Sequence, residues 1–169
     1  MNSTDAIIRA LEQAVMAEDE GHWFYRMAAR TTADPKGKEV FETLAAEELA
    51  HKGHLLAQLK ALRETGKPDP GAVLGAPLPL AGKSPIFSDA LLARAKDAHY
   101  EMTSLSVGVQ LELQAEQFYR TQAAAAGDAG VKALFAKLAD WEKGHYDALL
   151  AQQETLKAGY WADNQFSPF

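Results

Sequence analysis

Glu48-x-x-His51 and Glu142-x-x-His145 each set an imidazole three residues after a carboxylate. Glu18 and Glu112 stand 30 residues upstream of these pairs. Carboxylate oxygen and neutral imidazole nitrogen are ligands for iron, manganese or zinc. The chain has no Cys. That excludes disulfides, Fe–S clusters, zinc–thiolate sites and thiol catalysis, and leaves Asp, Glu, His and backbone oxygen to hold any metal.

The positions of these six residues make the point stronger than their identities do. Glu18 falls in a stripe with Ile7, Leu11, Val15, His22, Tyr25 and Ala29, at helical steps of three and four. Glu112 lies likewise among Leu105, Val109, Glu116, Tyr119 and Ala123. Glu48 and His51 interrupt the run Phe41, Leu44, Leu55, Leu62, and Glu142 and His145 interrupt Phe135, Leu138, Leu149, Leu156. Packing these faces together buries four carboxylates and two imidazoles at one level. Each unpaired buried charge costs several kcal/mol, about the scale of a whole domain's stability when summed. No basic residue shares the stripes. Two divalent cations carry the charge that cancels four carboxylates.

The chain repeats itself at a shift of 94 residues. Glu18-x5-Phe24-Tyr25-Arg26 falls on Glu112-x5-Phe118-Tyr119-Arg120, and Glu48-x-x-His51 on Glu142-x-x-His145. From Glu18 to Leu62 no gap is needed, and 17 of 45 positions are identical. Shared helix composition does not produce that much identity, so an internal two-fold is expected.

The elements that must position these residues are four long helices. Helix A is expected from about Thr4 to Thr32, helix B from Asp34-Pro35 to Gly66, helix C from Ser88-Asp89 to about Gly127, and helix D from Asp128 to Gly159, with Gly159 as the C-terminal stop. Five of the seven prolines fall between Pro68 and Pro85 and bar a helix there. Repeat 1 thus covers about 4–65, a crossover 66–87, repeat 2 about 88–158 and an aromatic tail 159–169. The expected fold is all-α, one antiparallel four-helix bundle whose long B–C crossover runs from end to end. At 169 residues with 47% hydrophobic composition it forms one domain. The formal net charge of -6 argues against nucleic acid and anionic membranes as partners. No signal peptide or membrane span is evident, so a soluble cytoplasmic protein is expected.

Glu on two helices and Glu-x-x-His on two others is the di-iron carboxylate pattern of four-helix bundles. Glu-x5-Phe-Tyr followed by Glu-x-x-His, twice over, resembles the erythrin domain of the rubrerythrin family in the ferritin-like superfamily. The resemblance covers nearly the whole chain apart from crossover and tail. It implies two iron ions, with manganese or zinc as alternatives, held by Glu18, Glu48, His51, Glu112, Glu142 and His145, with Glu48 and Glu142 as bridges. It implies an oxidoreductase that reduces hydrogen peroxide or dioxygen with electrons from an external rubredoxin or flavoprotein, and it suggests a homodimer.

Two features depart from the family. A further carboxylate expected three residues past Glu112 is replaced by Ala115, and no rubredoxin module is present. Glu116 at i+4 and His22 in helix A are candidates to supplement the ligands, or else polar residues outside the ligand set. Tyr25 and Tyr119 are candidates to assist at the site, by a hydrogen bond or as oxidisable rings, or else core aromatics. Glu47 is set aside, because its equivalent in the other repeat is Trp141. Two rival functions remain open: a ferroxidase or iron-handling protein, and a non-enzymatic iron or redox sensor or scaffold.

Overall fold

A computed structural model describes residues 3–69, 71, 74 and 86–163. Helix α1 spans Ser3–Thr31, α2 Pro35–Thr65, α3 Asp89–Leu92, α4 His99–Ala125 and α5 Ala129–Asp163, with a 3-10 turn at Ala95–Asp97. No strand occurs among the described residues. Most of the expected crossover, and residues 164–169 of the expected tail, lie outside the described residues. None of the described helices is long and apolar enough to cross a membrane.

The helix starts and stops follow capping chemistry. The Asp34 side chain accepts from the Gly37 amide, Pro35 occupies the first turn, and Gly66 closes α2 at φ 73. The Asp128 carboxylate accepts from the Val131 amide at 3.0 Å, so the same repeat position caps α5.

Cross-helix contacts fix the directions. His22 with Ala45 and Asp19 with Lys52 set α1 antiparallel to α2. Ser106 with Gln153 and Arg120 with Asp140 do the same for α4 and α5. Tyr25 with Glu112, and Thr32 with Glu101, run α1 antiparallel to α4. Helices α2 and α4 therefore point the same way, and the chain between them must cross the length of the bundle. Gln58 and Gln152, equivalent in the repeat, fasten the two ends of that crossing. Gln58 pairs with both backbone groups of Asp69, and Gln152 accepts from the Ile86 amide.

The apolar core forms two clusters. One holds Tyr25, Phe41, Leu44, Leu105 and Leu149; the other holds Leu11, Leu55, Tyr119, Phe135 and Leu138. The 94-residue shift exchanges them: Phe41 becomes Phe135, and Leu55 becomes Leu149. Along every long helix the chain passes from one cluster to the other through the carboxylate layer. The polar layer is thus the midplane of the internal two-fold.

Two expected boundaries are overturned. Helix C is not continuous from Ser88. It breaks after Leu92, and Ala98, at φ -85 and ψ 40, leads into α4. Leu91, Ala95 and Ala98 are all buried in the first cluster, so packing overrides the helix propensity of an Ala-rich run. Helix D does not stop at Gly159 but continues to Asp163. A Cβ at Gly159 would lie 3.1 Å from that of Ala95. The glycine allows α5 to pass close to the 3-10 turn; it is not a C-terminal stop.

Candidate metal centre

The four long helices each deliver their carboxylate to one level. Glu18 comes from α1, Glu48 and His51 from α2, Glu112 from α4, and Glu142 and His145 from α5, and all six are at most 5% exposed. The i, i+3 spacing puts each Glu and its His on the same face of their helix. The two imidazoles lie face to face, with ring centroids 6.0 Å apart.

The donors fall into two groups with the separations of a metal site. Glu48, Glu112, Glu142 and His145 form one, and Glu18, Glu48 and His51 the other; the donor atoms of each lie within 4.8 Å of one another. Glu48 belongs to both. Glu142 also faces both histidines: its Oε1 is 3.1 Å from His51 Nδ1, and its Oε2 is 3.4 Å from His145 Nδ1. His51 Nδ1 lies a further 3.2 Å from Glu18, and His145 Nδ1 3.4 Å from Glu112.

Protein hydrogen bonds leave this cluster incomplete. Glu48 Oε1, both oxygens of Glu142, and His145 Nδ1 are buried with no hydrogen-bond partner among the described residues. Orphaned buried acceptors are rare and costly. Here they belong to the residues that would ligate, so the donor set fits a pair of cations.

The electrostatics agree. Burial pushes the Glu48 carboxyl well above the usual carboxylate range, and Glu18, Glu142 and Glu112 push it further. Burial also raises Glu112, to about 7, against the pull of His145. Burial would lower His51, but Glu142 and Glu18 beside it outweigh burial and hold it at about 9. His145 is raised in the same way by Glu112, Glu142 and Glu47. Glu142 runs opposite to the other carboxyls: burial would raise it, but the two histidines hold it well below the usual range. The protein alone balances this charge with protons, and a metal pair would replace them.

Tyr25 and Tyr119 link the repeats. The Tyr25 hydroxyl donates to Glu112, and the Tyr119 hydroxyl donates to Glu18. Both phenols are buried and held well above their ordinary pKa, first by burial and then by the carboxylate each one meets. They therefore act as proton-bearing donors to the two single-helix carboxylates.

His22 and Glu116 do not join either donor group. His22 Nδ1 meets the Ala45 carbonyl at 2.6 Å, which ties α1 to α2. Glu116 pairs with Arg120 one turn along. Glu47 is also outside the donor groups, but it is not a bystander. It is buried, with its Oε2 2.7 Å from His145 Nε2. The repeat comparison hid this contact, because Trp141 occupies the equivalent place; the signal available in sequence was a carboxylate directly beside a ligand-bearing position.

A cavity of about 180 Å³ reaches the centre between α1 and α4. Gly21, Ala115 and Phe118 line its wall, and Glu18, Glu48, Glu112 and Glu142 line its inner end. Gly21 and Ala115 are repeat equivalents. A Cβ on Gly21 would come 3.1 Å from Glu48 Oε2. The missing carboxylate at Ala115 thus lies on the same opening as the glycine.

Comparison with known families matches residues 9–153 to Rubrerythrin. Comparisons with curated proteins and with solved structures give no match.

Proposed function

The chain belongs to the rubrerythrin family, and on that premise we propose that it is a non-haem di-iron oxidoreductase that reduces hydrogen peroxide. The observation that carries this reading is the buried layer of four carboxylates and two imidazoles, with Glu48 shared between two donor groups. Glu48 and Glu142 would bridge the two ions. Glu18 with His51, and Glu112 with His145, would complete the two ends. Two iron ions bound there would supply one electron each to the O–O bond. The overall change is peroxide plus two protons and two electrons to two waters. A separate rubredoxin or flavoprotein is the proposed donor of those electrons, since the chain has no cysteine for a redox centre of its own. Manganese or zinc would fit the same donors.

The protein's own residues would do three things. The cavity beside Gly21 and Ala115 would admit a small oxidant to the carboxylate end of the site. Tyr25 and Tyr119 would hold Glu112 and Glu18 in place through their hydroxyl protons. The two apolar clusters on either side would keep bulk water out.

The same site supports a second reading as a ferroxidase, in which dioxygen is the oxidant and iron the substrate. Stopped-flow oxidation of anaerobically loaded diferrous protein separates the two. Peroxide reduction predicts a much faster reaction with hydrogen peroxide than with dioxygen. Faster oxidation by dioxygen, continuing past two irons per chain, would replace it with the ferroxidase reading. Protein that binds iron but turns over with neither oxidant would leave the sensor or scaffold role.

The partner proposed for the outer face of the first repeat is a second copy of the chain, which would make a homodimer. Met16, Trp23 and Met27 on α1, and Leu49 on α2, are each more than half exposed. Their repeat equivalents are Gln110, Gln117, Thr121 and Lys143. The same helical framework thus carries an apolar surface in one repeat and a polar one in the other.

A further inference from the structure

The internal two-fold makes the ligands equivalent but not their supports. At the 94-residue shift Glu47 falls on Trp141, immediately before the Glu of each Glu-x-x-His pair. His145 turns Nδ1 toward Glu48, Glu112 and Glu142, at 3.4–3.7 Å, and its Nε2 meets Glu47 at 2.7 Å. His51 likewise turns Nδ1 toward Glu18 and Glu142. Its Nε2, however, is buried with no hydrogen-bond partner among the described residues. The repeat equivalent of Glu47, Trp141, packs its ring against the His51 ring instead, in a T-shaped contact with centroids 4.7 Å apart. An indole N–H is a donor only, so it cannot accept the imidazole proton.

This difference bears on metal binding. An imidazole that ligates through Nδ1 must keep its proton on Nε2. A carboxylate at Nε2 fixes that tautomer and the ring orientation, and makes the ligating nitrogen more basic.

We propose that Glu47 makes the two metal positions unequal. It is a positioning residue for His145, and the position held by His145 and Glu112 fills first and holds its ion more tightly than the position held by His51 and Glu18, with Glu48 and Glu142 shared by both. This rests on the reading of the cluster as a metal centre.

The test is anaerobic titration of the full chain with Co²⁺, followed by calorimetry and by the visible bands of the bound ion. The intact protein should bind two ions in two steps, with affinities at least about tenfold apart. Glu47→Gln should weaken the tight step by about 10–100-fold, the usual effect of removing a carboxylate behind a ligating histidine, and bring the two steps together. Trp141→Phe should leave both steps in place. His145→Ala should remove the tight step, and His51→Ala the weak one. Two equal steps in the intact protein would overturn the inference without any variant being needed. So would unchanged constants in folded Glu47→Gln, or loss of the tight step on His51→Ala. These results would leave the metal centre standing, whereas no Co²⁺ binding by the intact protein would overturn the metal centre and this inference together.

Discussion

The Tyr25 hydroxyl donates to Oε1 of Glu112, across the midplane from one repeat to the other. The return bond from Tyr119 to Glu18 makes the pair reciprocal. Each tyrosine lies seven residues beyond its own repeat's carboxylate, two helical turns along, and so reaches the carboxylate of the antiparallel partner helix. The two bonds tie the repeats together at the level where the core is most polar.

Tyr25→Phe and Tyr119→Phe should therefore behave alike. Each leaves a buried carboxylate oxygen without its donor, at a cost of about 1–3 kcal/mol. Thermal unfolding of the metal-free protein should show a lower Tm for both variants, by similar amounts. An unchanged Tm in either would mean that the phenol contributes only its ring.

Metal should stabilise the fold more as pH rises. Glu112, raised from its ordinary 4.5 to about 7, contributes fully below 4.5 and loses that contribution as pH rises through 7. His51, raised to about 9, contributes fully below its ordinary 6.5 and loses that contribution as pH rises through 9. The metal-free fold thus weakens between about pH 4.5 and 9. Glu142 is held low, so its contribution is lost only on acidification below its ordinary 4.5, outside this window. Cations displace the protons and remove the loss. The Tm difference between Mn²⁺-loaded and metal-free protein should be larger at pH 8.5 than at pH 6.0; a difference that shrinks with pH would contradict this account of the charge.

Ala115→Leu should narrow the cavity without touching a ligand. The expected result is two metal ions per chain as before, with oxidation of the diferrous protein by peroxide slowed by about tenfold, a barrier increase of about 1.4 kcal/mol. A rate equal to that of the unaltered protein would show that the oxidant enters by another path.

A double change of Trp23→Glu and Leu49→Glu should shift the sedimentation coefficient from a dimer to a monomer while the helix content stays constant. A monomer before any change, or a dimer that survives both, would remove this face from the assembly.

The six residues of the cluster were legible in sequence because helical spacing and the repeat both pointed to them. A carboxylate inside an apolar stripe is conspicuous, and finding it twice at one offset is more so. Glu47 was not legible by that route, since the repeat directs attention to what is shared and Glu47 is what differs. The break between α3 and α4 carries no glycine or proline to announce it; it exists because Ala95 and Ala98 gain burial against α5. Gly159 sent the opposite false signal. Glycine marks a helix end when φ turns positive, as at Gly66, but also marks a close approach between helices, and sequence does not distinguish the two.

Iron stoichiometry with magnetic coupling tests the central claim most directly. Protein loaded anaerobically with Fe²⁺ and then oxidised should hold two irons per chain, with the antiferromagnetic coupling of a bridged pair in its Mössbauer spectrum. Glu48→Ala and Glu142→Ala should each lose the coupled pair. One uncoupled iron per chain in the intact protein, or a coupled pair that persists in either variant, would contradict the shared-carboxylate centre.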